Sequence, residues 1–256
     1  MNQQNLAKHH LIAIAISHYC EKVRWGLDWL GIEYTEENHA PPLHRSHTTK
    51  YGGTTVPVLV TEDRAFVSST AILHYLDTIA PLKQLYPQKS RQEIEQLEQL
   101  CDRQLGVATR CWSYYYALQQ PRLILRAWCK GVSLEEKQQC AALLTQTIQL
   151  FKQNSNVTIA GKEAALQTIR EVFEVISDKL RSGKKYLVGD SLSAADITFA
   201  ALASPVLRPE NHPYYSPKIQ NLSSEMKSTI EELRHTPAGK FALQLYREQR
   251  HTIPIC

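Results

Sequence analysis

The chain has 256 residues, of which 43% are apolar and 21% are charged, and its formal net charge is +4. This composition is typical of a folded globular protein with a real core, and no low-complexity tract indicates disorder. Basic and acidic residues are interleaved, which favours solvated helix faces over a nucleic-acid-binding stripe.

The start of the chain and the cysteines indicate neither export nor a disulfide framework. The longest early apolar run, Leu11 to Ile16, is too short for a signal-peptide core or a membrane span. The six cysteines contain no C-x-x-C pair, so neither a disulfide framework nor a zinc site is indicated. We therefore expect a cytoplasmic protein with no metal and no membrane segment.

The first 38 residues predict a strand, a helix and a second strand. The run LIAIAI (11–16) is short, β-branched and continuously apolar, which is typical of a buried strand. Behind it, apolar residues recur every three or four positions up to Gly31, which predicts a helix with a glycine C-cap. The segment IEYTEEN (32–38) then predicts a strand parallel to the first.

A hairpin and a helix follow a polar connection that spans residues 39–50. The runs VPVLV (56–60) and AFV (65–67) flank the polar turn TEDR, which predicts an antiparallel pair. Pro57 stands at the start of its strand, and the bond before it is a candidate for cis geometry. Ser69 begins the helix that completes the order βαβ, connection, ββα.

Beyond residue 90 the sequence predicts helices almost throughout. The segment 81–90 contains two prolines and no periodicity, which is typical of a linker. The proline-rich segment 204–218 predicts a rigid loop. Helix starts are indicated by three S-x-x-[ED] capping boxes and by one proline at a first helical position: Ser90 with Glu93, Ser133 with Glu136, Ser193 with Asp196, and Thr236-Pro237.

Four motifs resemble the cytosolic glutathione transferase superfamily. They are SHYCEKVRWGLDWLGIEY (17–34), TTVPVLV (54–60), SSTAILHYL (68–76) and LSAADI (192–197). The resemblance implies an α/β plus all-α fold: a thioredoxin-like glutathione-binding domain over residues 1–82, a linker over 83–90, and an all-helical domain over 91–256. The first motif is also similar to a bacterial branch with a Ser-x-x-Cys loop.

Ser17 lies where the first strand gives way to the first helix. A helix N-terminus favours an anion such as a thiolate. Lowering a thiol pKa of about 8.5 by two units requires about 2.7 kcal/mol, which one charge-assisted hydrogen bond of about 1.5–3 kcal/mol and the helix dipole can supply. The resemblance implies that Ser17 donates this bond to the sulfur of glutathione. Alternatively, Ser17 only caps the helix.

Cys20 has the place of the second cysteine in a glutaredoxin-like motif, with Ser17 in the place of the first. Inside the first helical turn it is expected to point toward the sheet as a buried filler. The alternative is a thiol that forms a mixed disulfide with glutathione.

The resemblance assigns other residues to glutathione. The backbone of Val56, before Pro57, would pair with the cysteinyl part like an added strand, and Ser69, helped by Ser68, would bind the γ-glutamyl carboxylate. Many members have Glu or Gln where this chain has Ser68. For the glycine carboxylate the chain offers basic residues, of which Arg45 is the best match because a guanidinium binds a carboxylate bidentately: His44, Arg45, His47 and Lys50.

These histidines are a weak alternative for metal binding, because no acidic or thiol residue clusters with them in the sequence. The aromatic run CWSYYYAL (111–118) resembles the helix that lines the electrophile pocket. The candidates there are Tyr19, as a pocket wall, with Trp112, Tyr115 and Tyr116, although core packing competes for Trp112 and at least one tyrosine.

The sequence therefore predicts a detoxifying transferase that conjugates the glutathione thiolate to small apolar electrophiles. A thiol oxidoreductase acting through Cys20 and a non-catalytic binding protein of the same fold are the alternatives. Glutathione is the expected co-substrate, a homodimer is expected by resemblance, and no nucleic acid or membrane partner is indicated. The identity of the electrophile cannot be predicted from the sequence.

Overall fold

The computed structural model describes residues 8–80, 82–181, 183–214, 219 and 222–250. The N-terminal part contains a small sheet and three helices in the predicted order. Its elements are β1 (His10–Ala13), α1 (His18–Leu30), β2 (Thr35–Asn38), α2 (His44–Thr48), β3 (Val58–Val60), β4 (Ala65–Phe66) and α3 (Ser69–Ile79).

The four strands form one sheet in the order β2-β1-β3-β4. Strand β1 is parallel to β2 and antiparallel to β3, with Ile12 opposite Val58. Strands β3 and β4 pair as a hairpin, with Leu59 opposite Phe66. The predicted thioredoxin-like arrangement is therefore confirmed. The 39–50 connection, expected to be irregular, contains α2.

A four-residue turn (14–17) joins β1 to α1, and both ends of α1 carry residues that favour helix termination. Ser17 is the N-cap, and Gly31 ends the helix at φ 70°, which favours glycine. Leu27 and the apolar residues one turn before it are buried, and α1 packs against α3 and the helix Ala194–Leu207. This packing holds Ser17 at the end of β1.

The C-terminal part is all-helical, as predicted. Its first two α-helices form one continuous rod, because a π-helical turn, Cys101–Leu105, joins them. The helices are α4 (Arg91–Leu100), α5 (Gly106–Ala117), α6 (Pro121–Trp128), α7 (Leu134–Ala142), α8 (Leu144–Asn154), α9 (Ile159–Leu180), α10 (Ala194–Leu207), α11 (Ser224–His235) and α12 (Pro237–Glu248).

Two of the predicted helix starts are confirmed in full. Ser193 and Asp196 form a reciprocal capping box, and Pro237 is the first residue of α12. Ser90 makes no cap hydrogen bond, so that box is wrong. The Ser133 hydroxyl caps the N–H of Glu136, but the Glu136 carboxylate binds elsewhere.

Two segments differ from the sequence-based expectation. Leu85, in the predicted linker, is buried, and its carbonyl accepts from the N–H of Ala194 at the start of α10. Pro205 lies inside α10 rather than in a rigid loop, because this end of the helix is buried all round. The rest of the predicted loop, 215–218, lies outside the described residues. A continuous apolar core extends from the sheet into the helices, and the domain boundaries themselves stay a prediction.

Within the described ranges, every helix is too short or too polar to cross a membrane.

Candidate glutathione site

Ser17 caps α1 through its side chain. Its Oγ accepts from the N–H of Cys20 at 3.3 Å, and its own N–H donates to the carbonyl of Ile14 at 3.0 Å. The hydroxyl is partly exposed and is used as an acceptor within the helix, so its proton can be donated to a ligand. Capping and thiolate binding are therefore compatible in one residue.

Cys20 lies one turn further along α1 and faces inward. Its side chain is 0% exposed. Burial raises the pKa of the thiol, and this outweighs the lowering by Arg24 and by the Ser17 hydroxyl. The geometry matches the expected buried filler and gives the thiol no path to a ligand.

The sheet topology brings Ser17, Val56 and Ser69 to the same end of the sheet. Strand β3 is antiparallel to both β1 and β4, so the end of β1, the start of β3 and the end of β4 lie at one end. Ser17 follows β1, Val56 precedes β3 and Ser69 follows β4. Three residues predicted to contact glutathione are therefore on the same side of the molecule although they are far apart in the sequence.

The Val56–Pro57 peptide bond is cis, as the sequence suggested. Within the described part of the chain, the N–H and C=O of Val56 have no hydrogen-bond partner. These groups are therefore available to an extended ligand. Ser68, not Ser69, is the N-cap of α3, with its Oγ accepting from the N–H of Ala71 at 3.1 Å. Ser69 is the first helical residue, which directs its N–H out of the helix end.

Two neighbours of Ser17 attach the loop to the helical part. The Nε2–H of His18 donates to the carbonyl of Gly106 at 2.8 Å, and the hydroxyl of Tyr19 donates to the carbonyl of Asp102 at 2.7 Å. Burial lowers the pKa of His18 to about 3, so its ring is neutral at neutral pH. Tyr19 can still form a pocket wall, but its hydroxyl is already engaged.

A buried lysine joins α1, α3 and the π-helical turn. The Nζ of Lys22 lies 2.8 Å from Glu98 and 2.8 Å from Asp102, and Lys22 is 0% exposed. The hydroxyl of Thr70 donates to Asp102 at 2.7 Å. Two carboxylates and one ammonium leave an excess of one negative charge beside the N-terminus of α3.

The two residues assigned to the glycine carboxylate differ in their surroundings. Burial lowers the pKa of His44 to about 4, so it is neutral and buried at neutral pH. The assignment of His44 to the glycine carboxylate stays a prediction, and a neutral ring would add no positive charge there. Arg45, next to it on α2, is exposed and always charged.

The aromatic run of α5 lies along the rod beyond its contact with Tyr19. Trp112 is 1% exposed and packs edge-to-face on Tyr116. The rings of Tyr115 and Tyr116 lie 5.0 and 5.7 Å from the Nζ of Lys162 on α9. A helix rises about 1.5 Å per residue, so both tyrosines lie roughly 13 Å or more beyond Gly106, where the rod meets Tyr19. Their assignment to the electrophile pocket stays a prediction.

Arg110 is a further pocket candidate that the sequence reasoning missed. It lies one turn beyond Gly106. Burial raises the pKa of Tyr19, and the charge of Arg110 opposes that shift. Burial lowers the pKa of His18, and the charge of Arg110 lowers it further. The Nε of Arg110 is buried without a hydrogen-bond partner. His18, Lys22 and Asp102 were missed as well, and no local pattern in the sequence distinguishes them.

Two family profiles match the chain. The profile described as the glutathione S-transferase N-terminal domain matches residues 11–84, and the profile described as the glutathione S-transferase C-terminal domain matches residues 141–224. Together these ranges include more than half of the chain. No curated protein matches the sequence.

Solved structures share the whole architecture. Glutathione transferase GSTFuA3 from Phanerochaete chrysosporium is 16% identical with a TM-score of 0.65, covering 97% of this chain and 100% of its own. A glutathione S-transferase from Ceriporiopsis subvermispora, solved in complex with glutathione, is 18% identical with a TM-score of 0.64, covering 96% and 99%. A beta-etherase from Sphingobium sp. strain SYK-6 is 17% identical with a TM-score of 0.58, covering 93% and 99%. At these identities the likeness establishes the fold.

Proposed function

Because the chain belongs to the glutathione S-transferase family, we propose that it binds glutathione at the end of the sheet where Ser17, Val56 and Ser69 lie. The bound thiolate attacks a small apolar electrophile held against the helical part. The observation that carries this proposal is the contrast between Ser17, with a hydroxyl free to donate, and Cys20, which is 0% exposed.

Ser17 acts on the thiolate as a hydrogen-bond donor. Its Oγ accepts from the N–H of Cys20, which orients the hydroxyl, and the helix dipole of α1 favours negative charge at the same point. A charge-assisted hydrogen bond of about 1.5–3 kcal/mol lowers the thiol pKa by about one to two units. No base is needed, because the proton leaves to water.

The cysteinyl part of glutathione pairs with Val56. The unpaired N–H and C=O of this residue accept an extended peptide as an additional strand, and this pairing positions the sulfur near Ser17. The bonds involve only the backbone, so replacements of the Val56 side chain are tolerated.

The γ-glutamyl end lies at the N-terminus of α3. Its carboxylate accepts from the N–H and hydroxyl of Ser69. Its ammonium lacks the usual Glu or Gln partner, because Ser68 stands there. The excess negative charge of the Lys22–Glu98–Asp102 group substitutes for it, with Asp102, 19% exposed at the side chain, as the nearest acceptor.

The glycine carboxylate is left for Arg45. This guanidinium is exposed on α2 and binds a carboxylate through two parallel hydrogen bonds. The family resemblance also supports a homodimer, which sedimentation analysis would test.

The decisive experiment measures the ionisation of bound glutathione by ultraviolet difference absorbance across pH. We expect Ser17→Ala to raise the thiol pKa by about one to two units and to lower conjugation of a model electrophile. Ser17→Thr keeps a hydroxyl and should stay close to the parent protein. Cys20→Ser, the matched control one turn away, should leave both quantities nearly unchanged.

Other outcomes would support other functions. Loss of mixed-disulfide reduction in Cys20→Ser alone, with Ser17→Ala active, would favour the oxidoreductase. Absence of glutathione binding by calorimetry at millimolar concentration would exclude both enzymatic functions and leave the binding protein.

A further inference from the structure

A second cluster of functional side chains lies at the β2 edge of the sheet, away from Ser17. Glu37, His39 and His47 place three potential metal ligand atoms within 4.8 Å of one another. They lie on a cavity of about 480 Å³ between this edge and α7. Among the residues considered for glutathione, only His47, one of the four basic candidates for the glycine carboxylate, lines that cavity, whereas Ser17, Val56, Ser69 and Arg45 do not. We propose that Glu37, His39 and His47 form a binding site for a zinc ion.

The fold creates this cluster from residues that the sequence separates. Glu37 ends the outer strand β2, and His39 follows it, with its N–H donating to the carbonyl of Ala13 at 2.9 Å. His47 comes from α2, one helix later, and its ring stacks on that of His39 with centroids 3.5 Å apart. An acidic ligand therefore does accompany the histidines, contrary to the expectation from sequence.

The ring of His39 is oriented by a carboxylate, as the rings of metal-binding histidines commonly are. Its Nδ1 lies 3.0 Å from Oε2 of Glu136 on α7. Histidines that bind metals commonly donate this ring N–H to a carboxylate, which leaves the Nε2 lone pair for the ion. Here the Nε2 of His39 is buried and makes no hydrogen bond of good geometry, and the nearest charged atom to it is Oε1 of Glu37, a second proposed ligand, at 3.1 Å.

The partner carboxylate is itself fixed in place. Oε1 of Glu136 accepts from the N–H of Ala40 at 2.7 Å. The N–H of Glu136 donates to the hydroxyl of Ser133 at the start of α7. This carboxylate therefore orients the ring of His39 rather than adjusting to it. The same contacts explain why Glu136 does not complete the predicted capping box.

The distances suit zinc. Oε1 of Glu37 lies 3.1 Å from Nε2 of His39, near the separation of about 3.3 Å between two tetrahedral ligands that are each about 2.0–2.1 Å from the ion. The ligand atoms are separated by at most 4.8 Å, so bringing all three to tetrahedral distances requires a movement of up to about 1.5 Å, and the side chain of His47 is partly exposed. A fourth position would be left for water.

Charge and ligand type point to the same ion. The described cavity lining contains four glutamates and neither lysine nor arginine, so it favours a cation. Two imidazoles and one carboxylate suit zinc better than magnesium or calcium, which prefer oxygen ligands alone.

The test uses the full chain, tag-free and treated with a chelator, without glutathione, which itself binds zinc. We expect zinc titration by calorimetry to show one tight equivalent, and cobalt to give the absorption bands of a tetrahedral site. His47→Ala and Glu37→Gln should weaken binding at least tenfold, and Glu136→Gln should weaken it about 10–100-fold. His235→Ala, an exposed histidine on α11, is the matched control and should bind normally.

Thermal unfolding gives an independent readout. Zinc at about 100 times its dissociation constant should raise the Tm by roughly 5–10 °C in the parent protein and not in His47→Ala. No stoichiometric binding, or equal binding by the parent and His47→Ala, would overturn the proposal and leave His39 as a bridge between two carboxylates. Neither result bears on glutathione binding at Ser17.

Discussion

The ring of His18 donates a hydrogen bond to the main-chain oxygen of Gly106, and the two atoms lie 2.8 Å apart. The two residues belong to different halves of the molecule, since His18 follows Ser17 and Gly106 begins α5. The position of the Ser17 hydroxyl is therefore set by the helical half as well as by the sheet.

The burial of His18 makes stability depend on pH. Burial lowers the pKa of His18 to about 3 from its ordinary 6.5, so the unfolded chain binds one more proton between these values. The contribution is fully present above about pH 6.5 and is lost as pH falls toward 3. From pH 7 to 5 the free energy of unfolding should drop by about 2 kcal/mol on this account.

The measurement is urea unfolding at pH 7, 6 and 5. His18→Asn keeps a side-chain donor without a titrating ring. The slope of its free energy of unfolding against pH should therefore be smaller than that of the parent protein, by the equivalent of about one bound proton. Identical pH dependence in both proteins would contradict the role of His18.

Gly106 cannot accept a side chain. A Cβ at this position would overlap the hydroxyl of Tyr19, so Gly106→Ala must displace that ring from the carbonyl of Asp102. We expect a loss of about 1–3 kcal/mol in stability and up to about a hundredfold in kcat/KM, because the adjoining Ser17 moves with the loop. Tyr19→Phe, which removes only the hydrogen bond, should cost about 1 kcal/mol. A Gly106→Ala protein with unchanged Tm and kinetics would refute this.

Removing the ammonium of Lys22 should be strongly destabilising. Lys22→Met leaves the Glu98 and Asp102 carboxylates without their buried cation, at a cost of about 3–5 kcal/mol. Lys179→Met, which breaks an ion pair with Glu93 at the surface, is the matched control and should cost less than about 1 kcal/mol. Denaturant unfolding of both variants checks the difference, and similar losses would contradict it.

Asp102→Asn should weaken glutathione binding about tenfold or more, since it removes the negative charge proposed to meet the ligand ammonium. Lys22 keeps Glu98 as its partner, so the fold should persist. Calorimetry with glutathione and with a derivative lacking the α-amino group distinguishes loss of the ammonium contact from a general loss of binding. The two ligands should bind this variant alike, whereas the parent protein should prefer glutathione.

The cysteines should resist thiol reagents in the native protein. All five in the described part of the chain are buried, and Cys256 lies outside it, so the assay uses Cys256→Ser. We expect labelling only as fast as unfolding allows, with five thiols released in urea. Rapid native labelling that disappears in Cys20→Ser would revive the oxidoreductase.

What could be predicted from the sequence was mostly local. The strands, the Ser17 and Gly31 caps and the Ser193 box depend on residues close together in the chain. The sheet topology then places Val56 and Ser69 at the same end of the sheet as Ser17, so the grouping of these three residues follows from the fold.

The residues that escaped prediction have distant partners. Glu136 lies three positions from Ser133, which suggested a capping box, yet its carboxylate binds His39 and Ala40, 97 and 96 positions away. His18 reaches Gly106 across 88 positions. Helical periodicity also cannot tell which way Tyr115 faces when several aromatic residues are adjacent.

The π-helical turn between α4 and α5 changes the direction in which side chains point along one continuous helical rod. One extra residue advances the helix by about 100°, so the side chains of α5 are rotated relative to those of α4 without a break in the chain. A one-residue deletion within Cys101–Leu105 would thus act as a register mutation. It would rotate every side chain beyond it and reassign which of them form the wall facing the thiolate.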